Sequence, residues 1–235
     1  YLLGCEGLDT TRAIPARTVF EQVFRKYGIP NVIRTDNGVP FSCRGLMGLT
    51  KLVVYWLKLG IDIERIEPGH PEQNGRHERI HLTLKYHTIR PAAQNMLAQQ
   101  QRFDSFLQVY NCERPHEALG MRRPADVYQP STRVLSVDVA DPQYPHHDVA
   151  IRVCGRGSIR TPRSPKRYFL SHGLSGELVG LRELENDRWL VSFASIHLGV
   201  IDKNEPRLQP FDLATNSNGS SSELILSSGP LPMYL

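Results

Sequence analysis

Asn31-Val32-Ile33-Arg34-Thr35-Asp36-Asn37-Gly38, residues 31–38, decides how the chain is read. A short apolar centre, Val32-Ile33, runs into turn-forming residues from Thr35 onward. That pattern belongs to a buried strand that stops and turns. It leaves an acid, Asp36, just past the strand's carboxyl end, where α/β sheets place their ligand sites.

Working toward the N-terminus, Val19, Phe20, Val23, Phe24 and Tyr27 fall on one face of a helix. Gly28 stands where a C-cap glycine belongs, and Pro30 blocks continuation. Residues 1–8 are mostly apolar and read as a strand. Toward the C-terminus, Leu49, Leu52, Val53, Trp56 and Leu57 predict a second helix, ended by Gly60. Ile61 and Ile63, with Ile66, predict another short strand, and Pro68-Gly69-His70-Pro71 a rigid turn. Asn74 is placed to N-cap a helix running through about Lys85. Met96, Phe103, Phe106, Leu107 and Tyr110 mark a longer one. Strand and helix alternate over residues 1–129, which predicts an α/β domain.

After residue 129 the pattern changes. Residues 130–148 lack periodicity and read as a linker. Residues 149–210 hold short β-rich pieces at 150–153, 166–170, 177–183, 188–193 and 197–201, which predicts a small all-β barrel. Tyr168, Phe169 and Trp189 are expected in its core. His146-His147 reads as a linker pair rather than a metal site. Residues 211–235, including the low-complexity run 214–222, are expected to be disordered.

Composition bounds the partners. The 235 residues suffice for one medium and one small domain. A net charge of +4 permits a nucleic-acid partner without demanding one. The four cysteines are scattered, with no C-x-x-C pair, and are expected to be free thiols. No apolar run approaches the ~18 residues of a membrane span, and Tyr1-Leu2-Leu3-Gly4-Cys5 has no signal-peptide features.

A second acid gains weight from its position. Glu78 falls in the first turns of the predicted third helix, with 41 residues between it and Asp36. The intervening helix and strand return the chain to the same sheet edge. Paired carboxylates there suit a hard divalent cation, which takes oxygen ligands and assists phosphodiester chemistry. Lys85, about two turns on, shares the Glu78 face.

Three motifs in order then carry a resemblance. Arg34-Thr35-Asp36-Asn37-Gly38-Val39-Pro40-Phe41 resembles the second-aspartate motif of bacterial insertion-sequence transposases with an integrase catalytic core. Pro68-Gly69-His70-Pro71-Glu72-Gln73-Asn74-Gly75-Arg76-His77-Glu78-Arg79 resembles their third motif. Tyr110-Asn111, Arg114-Pro115-His116 and Ala118-Leu119 resemble the segment that closes the core. The resemblance implies an RNase H-like integrase core lacking its first strands, followed by an SH3-like barrel. It implies an Asp-Asp-Glu site binding Mg²⁺ or Mn²⁺, with Asp36 second and Glu78 third, for cleavage and strand transfer. The 41-residue spacing exceeds that of retroviral-type relatives. The first aspartate belongs on an upstream strand, and residues 1–8 read as the third. Asp9 falls after that strand, in a loop or N-cap position. The first two strands and their aspartate are therefore expected to be missing, and catalysis impaired.

The implied partner is DNA, both element ends and target, with a homo-oligomer and a bacterial cytoplasmic, nucleoid-associated setting. Asn37, Gly38, Asn74, Gly75, Arg79, Lys85, Arg114 and His116 are the expected DNA contacts of the core, which Arg122-Arg123 would extend. On the barrel they are Arg152, Arg156, Arg160, Arg163, Lys166 and Arg167, in a stretch with no acid. A non-catalytic DNA-binding remnant is the alternative reading.

Overall fold

The computed structural model describes residues 1–8, 10, 12–43, 45–65 and 75–209, without the side chains of Leu46, Arg76 and His77. Asp9, the turn at Pro68–Pro71, Asn74 and the tail 211–235 lie outside the described residues. The described chain forms two compact units. One comprises Tyr1–Pro40 and Ile61–Val137; the other comprises Phe41–Gly60 and residues 138–209.

The first unit begins with α1 (Ala13–Tyr27), which buries Phe20, Val23, Phe24 and Tyr27. Gly28 ends it at φ 80°, its N–H donating to the Phe24 carbonyl. A Cβ there would lie 2.3 Å from the Ser131 carbonyl oxygen, so both backbone and space require glycine. Strand β1 (Val32–Thr35) then pairs in parallel with β2 (Asp62–Arg65), Thr35 opposite Arg65. Numbering the helices in chain order, α3 (Gly75–Leu84) leads into a wider turn, Lys85–Ile89, and then α4 (Met96–Cys112). Asn95 caps α4 by accepting from the Ala98 N–H at 2.8 Å.

Residues 1–8 form no strand, contrary to the sequence expectation. Side-chain amides of α4 serve their backbone instead. Asn111, buried, accepts from the Leu2 N–H at 2.9 Å and donates to the Leu2 carbonyl at 2.8 Å. Gln100 accepts from the Gly7 N–H and donates to the Cys5 carbonyl. The segment thus satisfies its buried polar groups without a neighbouring strand. Leu3 still packs against Val23, Tyr27 and Tyr128.

The expected linker, 130–148, is anchored at both ends. Ser131 N–H donates to the Tyr27 carbonyl and Ile29 N–H to the Arg133 carbonyl, in the first unit. In the second unit, Tyr144 hydroxyl donates to the Leu178 carbonyl at 2.7 Å. Asp148 N–H donates to the Leu181 carbonyl.

The second unit contains α2 (Lys51–Lys58) and six strands: β3 (Val149–Arg152), β4 (Ser158–Ile159), β5 (Tyr168–Phe169), β6 (Leu178–Leu184), β7 (Arg188–Phe193) and β8 (Ile196–Ile201). An antiparallel sheet runs in the order β3-β6-β7-β8, and β4-β5 is a separate ribbon. Only the two-residue β4 lacks a counterpart in the sequence reading, being too short to show a period. Trp189, Leu190, Val191 and Phe193 of β7 are all buried. Helix α2 belongs here, not with the α/β part, because polar bonds tie it to the β-rich residues. Ser171 Oγ donates to the Leu49 carbonyl at 3.2 Å. Lys58 Nζ reaches Glu177 at 2.9 Å and Asp141 at 3.2 Å.

Burial works against the charge on Lys58, but the two carboxylates outweigh it and raise its pKa. Asp141 is held below its ordinary value by Arg152 and then Lys58. Lys58→Ala removes the cation from Glu177 and leaves Asp141 with Arg152. It is expected to cost about 1–3 kcal/mol, read as a lowered urea midpoint of tryptophan fluorescence; both tryptophans, Trp56 and Trp189, are in this unit.

His147 is not a free linker residue. Its ring lies against Tyr144 and over Gly180, where a Cβ would come within 2.7 Å of it. Both ring nitrogens are buried without a hydrogen-bond partner among the described residues. Desolvation and then Arg182 hold His147 and His197 below the ordinary 6.5. Unfolding releases both imidazoles, so below pH 6.5 the unfolded chain binds more protons. Stability from these groups is full above pH 6.5 and is lost as pH falls beneath it. The urea midpoint is expected to drop between pH 7.5 and 5.5, and His147→Leu to flatten that dependence; equal slopes in both chains would contradict this.

Candidate functional site

Asp36 directly follows β1 and is exposed. Its Oδ1 accepts from the Gly38 N–H at 2.9 Å, closing an Asx turn. A Cβ on residue 38 would stand 3.2 Å from that oxygen, so glycine keeps this side of the carboxylate clear. Asn37 is exposed beside it. Beneath the turn, Arg34 pairs with Glu64 across the parallel ladder at 2.6 Å. Sequence reading missed this pair, because only the strand register brings residues 34 and 64 side by side.

Glu78 is exposed in the first turn of α3. Because β1 and β2 are parallel, Asp36 and the exit from β2 toward α3 leave from the same sheet edge. Gly75 opens α3, and among the described residues nothing lies within 4 Å of where its Cβ would stand. Arg79 and Lys85 are exposed. Lys85 is the first residue of the wider turn, so the regular helical register linking it to Glu78 ends there.

The donor chemistry suits a hard cation, but the count does not. Among the described residues no group of three or more His, Cys, Asp or Glu is placed to hold a metal ion. Two exposed carboxylates do not make a complete site. The cysteines are free, and no described helix is long and apolar enough to cross a membrane.

The closing segment divides its two expected contacts. Arg114 is exposed. His116 turns inward: its ring edge meets Tyr110 at 4.6 Å, its Nε2 is buried, and its backbone pairs with Arg122. Arg123 is held by Asp126.

The six expected DNA contacts of the β-rich unit also separate. Arg152 pairs with Asp141 at 2.8 Å and Arg163 with Glu183 at 2.9 Å. Lys166 donates to the Lys203 carbonyl, and Arg167 lies 3.9 Å from the Cys154 sulfur. Arg156 and Arg160 are exposed, and neither side chain forms an ion pair or hydrogen bond with the described residues.

Residues 59–124 match the family model of the integrase core domain. The integrase core match includes Glu78, Arg79, Lys85, Arg114 and His116, while Asp36 precedes it. A stretch of 75 residues is 32% identical to the Gag-Pol polyprotein of baboon endogenous virus (strain M7), covering 32% of this chain and 4% of that polyprotein's length. Among solved structures, the chain is similar to the cryoEM structure of the simian T-cell lymphotropic virus intasome in complex with PP2A regulatory subunit B56 gamma. That similarity has a TM-score of 0.40 and 14% identity, over 82% of this chain and 66% of the other. Both matches cover about a third of the chain and make that part similar to an integrase core. The fold is accordingly mixed α/β followed by an antiparallel β module, and residues 59–124 within it match the integrase core domain.

Proposed function

We propose that the chain is a DNA-integration protein of the transposase kind, with Asp36 and Glu78 as two of the three acids of an Asp-Asp-Glu site. The observation that carries this is Glu78 in the first turn of the helix after β2, inside the integrase core match. Asp36 supports it from the end of the parallel neighbour of β2. Two carboxylates contribute oxygen ligands of the type Mg²⁺ or Mn²⁺ takes; the bound ion would supply Lewis acidity for phosphodiester cleavage and strand transfer. The chain's own residues hold the geometry. Gly38 fixes the Asp36 carboxylate, Arg34–Glu64 braces the strand pair, and Arg79, Lys85 and Arg114 offer exposed charge to phosphate.

Within the superfamily we read the chain as the insertion-sequence type, on the motifs around Asp36 and Glu78. That reading brings element ends and target DNA as partners, a homo-oligomer, and a bacterial cytoplasmic setting. A second reading, a DNA-binding protein without catalysis, is favoured by the exposed Arg156 and Arg160, whose side chains are unpaired among the described residues.

A strand-transfer assay with Mg²⁺ or Mn²⁺ tests whether this chain completes the active site. The expected result is joining at or near background, with DNA binding unchanged within about twofold by Asp36→Ala or Glu78→Ala, since neither acid contacts phosphate favourably. Robust joining that disappears in both variants would show a complete active site and sink the non-catalytic reading. For binding itself, Arg156→Ala and Arg160→Ala are each expected to reduce the slope of log affinity against log salt by about 1. Arg152→Ala and Arg163→Ala, whose charges are already paired, are expected to change it less. Equal effects from all four would contradict the division drawn between them.

A further inference from the structure

The β4–β5 ribbon has two unlike faces. Ile159 and Tyr168 stand opposite each other in the ladder and are 3% and 1% exposed. Ser158 and Phe169 form the adjacent pair, and Phe169 is 50% exposed. Successive strand side chains point to opposite faces. Arg160 and Arg167, each one position beyond the ladder, therefore share the Phe169 face, and both are exposed.

The sequence reading placed Phe169 in the barrel core. Instead, its neighbour Tyr168 fills the core, and alternation turns Phe169 outward. Its ring meets exposed His172 edge-on, at 5.0 Å and 63°, and half of its surface is exposed. No acid occurs from Ile151 to Arg167, so the surroundings favour a polyanion.

Phosphate binding needs the arginines but has no use for the ring. An exposed aromatic flanked by cations fits a nucleobase face, because every base stacks and its flanking phosphates are anionic. Within a duplex those faces are covered by neighbouring pairs. We propose that Phe169 is a stacking platform for an unpaired nucleobase at a DNA end or overhang, with Arg160 and Arg167 on the adjoining phosphates. This rests on the DNA-binding reading above and names the form of DNA preferred.

The test compares binding of the full chain to a blunt duplex and to the same duplex with a short single-stranded overhang, by fluorescence anisotropy. Phe169→Ala is expected to lose about ten- to a hundredfold on the overhang and to leave the blunt duplex nearly unchanged. Phe169→Trp should retain overhang affinity, since it keeps a stacking ring. Arg160→Ala should weaken both DNAs alike. Equal behaviour of Phe169→Ala on the two DNAs overturns the platform. So does altered self-association in sedimentation with overhang binding intact, which would assign the ring to a protein contact. If the unsubstituted chain binds neither DNA at low salt, the DNA-binding reading itself fails, a result separate from the others.

Discussion

The parallel pairing of β1 with β2 is the constraint on which the candidate site depends. Parallel strands cannot be joined by a tight turn, so the chain must travel through a helix and return. That return brings the exit from β2 to the edge where Asp36 emerges. An antiparallel pairing would send the two ends apart. The Arg34–Glu64 ion pair spans this ladder two residues before Asp36. It is partly exposed, so its contribution is small, and its effect is chiefly to fix register beneath the acid.

A different device organises the second unit. Helix α2 is apolar almost all round, with Leu52, Val53, Val54, Trp56 and Leu57 buried. Apolar contact alone orients such a helix loosely. Lys58, at its last turn, binds carboxylates from the segment before β3 and from the residue preceding β6. Directional charge-assisted bonds thereby set an angle that packing leaves open. The segment between Asp36 and β2 is in this way built into the β-rich unit.

Much of this was legible in the sequence. Period and punctuation located the helices and most strands to within a few residues, because Gly28, Gly60 and Pro30 are strong stops. The placement of Asp36 after a strand and of Glu78 in the first turn of a helix was legible from the local pattern. Features that depend on which groups meet across the fold were not. The strand expected at 1–8 failed because apolar character does not supply a partner strand, and amides of Asn111 and Gln100 took its place. Phe169 was misplaced because the two-residue β5 shows no period from which to choose its inner face. Arg152 and Arg163 looked like Arg156 and Arg160 until tertiary contacts gave the first two their carboxylates. His116 looked like an exposed contact until Tyr110 and Arg122 closed around it.

The bonds between residues 27–31 and 131–133 have a consequence in polymer terms. Ser131 Oγ donates to the Ile29 carbonyl across 102 positions of sequence, and Arg133 reaches the Pro30 carbonyl. Together with the missing side chain at Gly28, they close the intervening chain into a ring. Once a long loop is closed, further contacts inside it join shorter effective paths, and each costs less entropy than it would in an open chain. Asp36 and Glu78 both sit on that ring. The clasp, far from either acid in sequence, therefore lowers the entropic cost of every arrangement that brings them together.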